Sequence, residues 1–378
     1  MADMGSVLSA VDEYGDQRFA EGAASRQAEV DALEARVAEY DAHMAEAHPV
    51  TPPPDPEPDP EPTPDPEPEP PTSGRPFIPY TADSYHKSTV EGLGIDTAKT
   101  SAFRSFMGTH PDQRAYAYPI IKGVDGNLWG SAYAEGKASD PVWKVRNING
   151  AKNAQNAVLQ TKGFHAPQWF GDSLTGTSDS PGGVMDMASG FTVFITKASR
   201  VPGTFLVDVE SAGITWHSSN GLDYRNPKSN DKRNFTSRGR ISDAMWIRRD
   251  LMEHAIANNT DLGHVLHFFI CESLTTSGYT HPMTGTESAK NGWGTEGERL
   301  AIRADLDLTT RGLSPAGLVI ARTLQRRGMY VGDNAGGEST LKAEQESAGR
   351  PVWGNLLNAN SLRGITWADF IVLQRGGQ

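Results

Sequence analysis

Residues 49–71 read PVTPPPDPEPDPEPTPDPEPEPP, and 13 of these 23 residues are proline. No other stretch narrows the choice of fold as much. Each proline fixes φ near −65° and removes an amide donor, and the residue ahead of each proline is pushed out of the helical region. Neither a helix nor an inner strand can run through such a segment. The expected conformation is polyproline II, at ~3.1 Å per residue or roughly 70 Å over the whole run. Acids alternate with the prolines, and their repulsion stiffens the rod. A proline-reading partner domain would want a basic anchor, which this alternation lacks. The segment therefore reads as a spacer, and it divides the chain into a front part (1–48), an extended linker (49–76) and a body (77–378).

The charge follows the same division. The chain carries a net charge of −12, with 11 acids and 3 bases in residues 1–48 and 7 acids with no base in 49–71. The remaining 307 residues hold 32 bases and 29 acids, so the body is close to neutral. Bulk-charge binding of nucleic acid is not expected of either part, because phosphate contacts need clustered bases. A single cysteine, Cys271, leaves no internal disulfide framework. The opening residues lack the basic and apolar regions of a secretory signal, and no apolar run approaches the ~18–20 residues of a membrane span. The expectation is a soluble chain made in the cytoplasm, with no membrane insertion.

In residues 1–48, Val30, Leu33, Val37, Tyr40 and Met44 recur at spacings of three and four. That is a heptad seam with Val30, Val37 and Met44 at a and Leu33 and Tyr40 at d. Two readings stay open: an amphipathic helix docking on another protein, and a short parallel bundle that makes the chain a homo-oligomer. Both make the front part an attachment device.

The body alternates short β-branched or aromatic runs with clusters of Gly, Pro, Asn and Ser, as strands do. Strands are expected at 115–121, 142–145, 183–187, 191–196, 204–209 and 214–217, with a hairpin turning at Ser189-Gly190. Three helices interrupt them. Asp96 caps one running to about Met107, Ser242 or Asp243 opens a second through Ile247, Leu251 and Ala255, and Ser314-Pro315 opens a third that Gly328 stops. A strand should follow at 329–332. The fold class expected is mainly β, a β-sandwich or jelly-roll-like body with a few inserted helices.

His264 and His267 suggest a metal at first sight. The run Asp261–Ile270 reads as a buried strand, however, where a spacing of three sends side chains to opposite faces. One of the pair is expected to face a groove and the other to be a hydrogen-bonded core residue, with no metal site. Cys271 ends the apolar run and reads as a buried structural thiol. No phosphate loop is present, and no cofactor is expected.

Four loops mix aromatics with carboxylates, amides and glycines. They contribute His165, Trp169 and Asp172; Asn220, Asp223 and Tyr224; His281 and Glu287; and Trp293. Sugars are held this way, with an aromatic face on the C–H face of a ring and polar side chains on its hydroxyls. Arg238 and His264 complete the candidate ligand-binding set. The alternative is that Trp169 and Trp293 plug the ends of a sandwich while the polar groups tie the loops together. Catalysis would need two carboxylates across a glycosidic bond, or a lyase-like set, for which Asp223, Tyr224, Arg238, His264, Glu272 and Glu287 are available.

Ala82-Asp-Ser-Tyr-His-Lys-Ser, Asp223-Tyr-Arg-Asn-Pro-Lys-Ser, Ser237-Arg-Gly-Arg-Ile-Ser-Asp-Ala-Met and Gly263-His-Val-Leu-His-Phe mark the body. With Gly312-Leu-Ser-Pro-Ala-Gly-Leu-Val-Ile-Ala-Arg-Thr-Leu-Gln and Gly328-Met-Tyr-Val-Gly-Asp-Asn-Ala-Gly-Gly, they resemble an actinobacterial and actinobacteriophage family over roughly residues 77–375. In bacteria its members look like secreted proteins of unassigned activity, and in phages like the C-terminal body of minor tail or fibre proteins. The resemblance carries no catalytic residues. With an acidic helix and a spacer in front, it implies the virion form, a tail or fibre protein attached to other virion proteins through residues 1–48. The aromatic–polar loops add the expectation that its body binds a host cell-wall glycan. A hydrolase or lyase acting on that polysaccharide is the alternative, and a ligand-free decoration of head or tail is a second one.

Overall fold

The computed structural model describes Ala35 and residues 74–374, apart from 110–116, 148–153, 175–176, 178, 241–243, 272–277, 288–292, 336 and 347–349. The expected heptad helix and the proline spacer lie outside the described residues, as do Glu272, Ser242 and Asp243. The chain divides into two units, Met1–Glu67 and Pro68–Gln378, and the sheets and helices named here all belong to the second.

The described residues are mainly β. Fourteen strands form three sheets: β1 (Ile120–Lys122), β2 (Ala132–Gly136), β3 (Val142–Asn147), β4 (Phe164–His165), β5 (Gly182–Asp186), β6 (Phe191–Thr196), β7 (Ser199–Arg200), β8 (Leu206–Val209), β9 (Ser211–Trp216), β10 (Leu266–Cys271), β11 (Arg299–Ile302), β12 (Met329–Ala335), β13 (Thr340–Lys342) and β14 (Phe370–Val372). Four α-helices accompany them, α1 (Thr97–Thr109), α2 (Ala154–Thr161), α3 (Arg249–Ala257) and α4 (Pro315–Arg326).

Two four-stranded sheets, β2-β5-β6-β9 and β4-β3-β8-β7, close over one apolar core. Trp143, Val145, Val207 and Val209 enter it from one sheet, and Val184, Phe191, Val193, Ile195 and Ile214 from the other. The expected hairpin joins β5 to β6. Gly190 takes φ 73°, and the Asp186 side chain accepts from the amides of Ala188 and Ser189 at 3.0 and 2.9 Å. β6 is buried on both faces. Phe191, Val193 and Ile195 point to the shared core, and by the two-residue period of a strand Thr192 and Phe194 point the other way. Thr192 Oγ1 meets His217 Nε2 at 3.0 Å, and Phe194 stacks on Phe235.

The rest of the body departs from a sandwich. β1-β13-β10-β12-β11-β14 make one six-stranded mixed sheet, with β1–β13 and β10–β12 parallel. Phe103 and Met107 of α1, Leu251 and Ala255 of α3, and Ile320 and Leu324 of α4 pack in one core with Phe268, Ile270, Leu300, Val331 and Phe370 of that sheet. The sandwich expected of the whole body is thus confined to about 132–216, and helices cover the larger sheet.

Helix α4 follows its sequence signals: Ser314 Oγ accepts from the Gly317 amide at 3.1 Å, Pro315 stands at the first position, and Gly328 follows with φ 73°. Helix α3 starts at Arg249, later than its expected opening, because Ile247 is used as a strand. Its amide donates to Lys342 O at 3.1 Å, and its carbonyl accepts from the Glu344 amide at 2.9 Å. Among the described residues, no helix is long and apolar enough to cross a membrane.

One irregularity in the larger sheet re-aims a charged side chain. Along β10 and β12, Phe268 pairs with Val331, but Phe269 pairs with Asp333. Gly332 is the extra residue of a β-bulge. Strict alternation would put Asp333 on the face of Val331, which is the helix-covered core. The bulge turns it onto the opposite face, beside Phe269.

Candidate ligand-binding cleft

The face of the six-stranded sheet that turns away from the helices forms a cleft of about 680 Å³ with the outer face of β6. His267 and Phe269 reach it by alternation along β10, and Asp333 by the bulge in β12. Asn334, Thr340 and Lys342 add to this wall, and Phe194 and Thr196 of β6 form the opposite one. The connecting segments bring Arg238, Arg240, Trp246, Glu287 and Trp129. Gly332 has a second role: a Cβ there would lie 2.2 Å from His267 Nε2, so only glycine leaves space for the imidazole.

A charge network holds the floor. Arg238 sits in the left-handed region (φ 58°) ahead of Gly239 (φ 93°), which throws its guanidinium back toward the sheet. Its Nη2 lies 3.1 Å from Asp333 Oδ1 and 3.3 Å from Glu287 Oε1. Its Nε is 3.1 Å from Glu296 Oε1, but the N–H is not aimed at that oxygen, so the contact is ionic rather than a hydrogen bond. Arg240 pairs with the other oxygen of Asp333 and donates from Nη2 to Ser237 Oγ at 3.0 Å. Asn334 Nδ2 donates to Glu287 Oε2 at 2.8 Å, and the Glu287 amide donates to Glu296 Oε1 at 3.0 Å.

This arrangement separates two carboxyl groups. Burial works against the charged form of Asp333, yet the Arg240 and Arg238 guanidinium groups overcome it and hold its pKa at about 2. Glu296 is fully buried just beneath, and burial outweighs the same two arginines and pushes its pKa up to about 7. Its Oε2 has no hydrogen-bond partner.

Lys342 is the third notable group. Burial lowers its pKa to about 8, and the charges of Asp333 and Asp179 offset that in part. Its Nζ lies 4.2 Å from the centre of the Phe269 ring and 5.8 Å from that of Trp246. His267, deeply buried and beside Arg240, is held neutral for both reasons in that order. At the rim, Trp129 lines the cleft and is 39% exposed.

Of the residues singled out in the sequence, Arg238 and Glu287 meet here. The others lie elsewhere. His264 is fully buried, stacks on His86 at 4.9 Å and bonds Val265 O through Nδ1, while His267 faces the cleft. His264 precedes the strand, so the division between the two histidines comes from the turn at Gly263 and not from strand alternation alone. His281 lines a separate hollow of about 270 Å³ with Arg225, Asn226 and Tyr279, and its Nδ1 is 3.1 Å from Asn226 Nδ2.

Asp223 is fully buried and accepts from the Arg225 and Thr236 amides at 2.9 and 2.8 Å, and Asn220 donates to Lys228 O at 2.9 Å. Both tie one loop together. Tyr224 is exposed and stacks on Phe235. His165 donates its amide to Asp186 Oδ2 at 2.8 Å. Trp169 lies under the Arg350 guanidinium, 4.1 Å away, and Asp172 pairs with Arg200 at 2.5 Å. Trp293 packs on Phe103 in the helix-covered core.

Sequence reasoning put His264 of the histidine pair in the ligand-binding set where His267 faces the cleft, and it missed Asp333, Lys342, Arg240, Phe269, Trp246 and Trp129. Asp333 had a usable signal, a glycine inside a strand directly before an acid, which marks a bulge. Among the described residues, no three His, Cys, Asp or Glu side chains converge as metal ligands. Cys271 is buried and not in a disulfide. Comparison with protein-family models, with curated proteins and with solved structures gives no match for the chain.

Proposed function

We propose that this chain is a phage virion protein, a minor tail or fibre component, whose body binds a host cell-surface glycan in the cleft between β6 and the six-stranded sheet. The observation that carries the reading is the combination, in one open groove, of an exposed indole at the rim, further aromatic rings inside and a fixed array of charged hydrogen-bonding groups. Cations and carboxylates largely balance there, which suits a ligand of many hydroxyls and few charges better than a densely charged polyanion. In this reading residues 1–48 form the attaching helix or short coiled coil, residues 49–76 the extended stalk, and the two-sheet layer with its helix-covered neighbour the receptor-binding head. Several heads on one particle turn weak single-site affinity into firm adsorption. The layout of the sequence and its resemblance to phage tail proteins support the virion assignment.

The test is retention of the purified full chain on envelopes of candidate hosts, compared with Trp129→Ala and Arg238→Ala. Retention that both substitutions reduce is expected. Failure to bind any host envelope would remove the reading.

A specific observation favours a second reading, hydrolysis of the bound glycan. Asp333 lines the cleft and Glu296 lies buried beneath it, both within ion-pair distance of Arg238. The arginines keep the pKa of Asp333 low while burial raises that of Glu296, the separation of carboxylate from acid that acid-assisted cleavage uses once Glu296 is uncovered. New reducing ends released by the native chain, and lost in Glu296→Gln with binding retained, would establish it. Binding without product would eliminate it.

A further inference from the structure

Among the described residues, the cations that line the cleft are paired with acids, with one exception. Lys122 meets Glu338 at 3.1 Å, Lys197 meets Glu210, Arg238 is shared among Glu287, Glu296 and Asp333, and Arg240 binds Asp333. No described carboxylate comes within ion-pair distance of Lys342, although it lines the same cavity. Asp333 and Asp179 act on it from further off, and Asp333 is already engaged by two guanidinium groups. The Lys342 ammonium lies 4.2 Å from the centre of the Phe269 ring on one side, and the residue lines the open cavity.

We propose that the Lys342 end of the cleft is a subsite for a carboxylate carried on a sugar ring, so that the glycan recognised is an acidic one. The inference rests on the reading of the cleft as a glycan site and names the class of glycan. A sugar hydroxyl satisfies the donors of a lysine but adds nothing to the partial compensation of its charge by Asp333 and Asp179. A carboxylate satisfies the donors and adds to that compensation through charge-assisted hydrogen bonds. The compact charge of an ammonium accepts that group without the fixed planar geometry that an arginine fork imposes. Asp333 and Asp179 already act on this lysine, and their repulsion disfavours a doubly charged phosphate over a singly charged carboxylate. The neighbouring rings of Phe269 and Trp246 give the sugar that bears the carboxylate an apolar surface to rest on.

The experiment has two parts, both with the full chain. In the first, a panel of uronate-containing oligosaccharides and their carboxyl-reduced counterparts is titrated against native protein, Lys342→Met and Lys342→Arg. The acidic form should bind about tenfold tighter or more than its reduced twin. Lys342→Met should lose that preference and Lys342→Arg keep much of it. In the second, lysine acylation is followed by mass spectrometry at pH 8 with glucuronate or glucose present. Glucuronate should slow modification of Lys342, and glucose at the same concentration should not.

Equal binding of acidic and reduced forms, or equal protection by both sugars, overturns the subsite and leaves the glycan-binding reading standing. No binding of any saccharide, acidic or neutral, removes that reading and the subsite with it.

Discussion

Mild acid should destabilise this protein far more than its acidic composition suggests. His86, His264, His267 and His217 are all buried, with exposures of 0, 0, 3 and 7%. Burial is the largest influence on each. It lowers His264 to about 4 and His217 to about 3, and carries His86 and His267 well below the usual imidazole range. Unfolded, all four titrate near 6.5. Above that pH both states are neutral and the stability is fully present. As the pH falls below it, the unfolded chain takes up protons that the folded chain refuses, and stability is lost progressively toward the folded-state values.

Between pH 7 and pH 5, His264 and His217 each cost about 2 kcal/mol, about 4 kcal/mol together, and His86 and His267 add to the loss in the same direction. Glu296 works in the opposite direction. Its folded pKa of about 7 lies above its unfolded value, so protonation on acidification returns about 2 kcal/mol. The two histidines and Glu296 together leave a loss of at least about 2 kcal/mol, which His86 and His267 deepen, a large share of the stability of many domains. Urea denaturation followed by tryptophan fluorescence at pH 7, 6 and 5 measures it directly. His217→Gln, which retains an amide for Thr192, should shrink the loss by about 2 kcal/mol. A midpoint that stays flat or rises from pH 7 to pH 5 would refute the reasoning.

Packing and the charge network carry further consequences. Trp293→Ala empties part of the helix-covered core and should cost about 3–5 kcal/mol in urea titration, while envelope binding by the fraction that stays folded is unchanged. Arg240→Ala strips Asp333 of a partner in a poorly hydrated site and should cost about 3–5 kcal/mol. Adding Asp333→Asn should recover much of that, and an additive double mutant would contradict the coupling. Gly332→Ala forces a methyl into His267 and should lower thermal stability by about 1–3 kcal/mol and weaken glycan retention together. Trp129→Ala, at an exposed position, should weaken retention at least about tenfold with no change in melting temperature, since surface substitutions usually fall within ~0.5 kcal/mol.

The sequence was most readable where a local rule and the tertiary structure agree. The cap, first-turn proline and terminal glycine of α4 are all present, and strand β6 runs over the residues its composition marks. The hairpin at Ser189-Gly190 is of the same kind. Helix α3 was read as starting too early because Ile247 fits a helical stripe, yet it pairs beside β13. That pairing partner is almost a hundred residues away and leaves no local mark. The larger sheet was hidden for a related reason. Its parallel pairs join segments distant in sequence, so a run such as Leu266–Cys271 announces a buried strand without saying what lies next to it.

The site was legible in part. Arg238 and Glu287 were found through their loops, but aromatic and acidic residues in loops also do structural work. Asp223, Asn220 and Trp293 do that work here. The residues that fill the cleft sit mostly on strands, where alternation and a one-residue bulge decide which way a side chain faces.

The two walls of the cleft belong to sheets with separate cores, one around Val193 and one around Phe268. Anything lodged there touches both and acts as a clasp between them. An occupant that ties the two walls together should make the two cores melt as one cooperative block, at a higher temperature than the empty body.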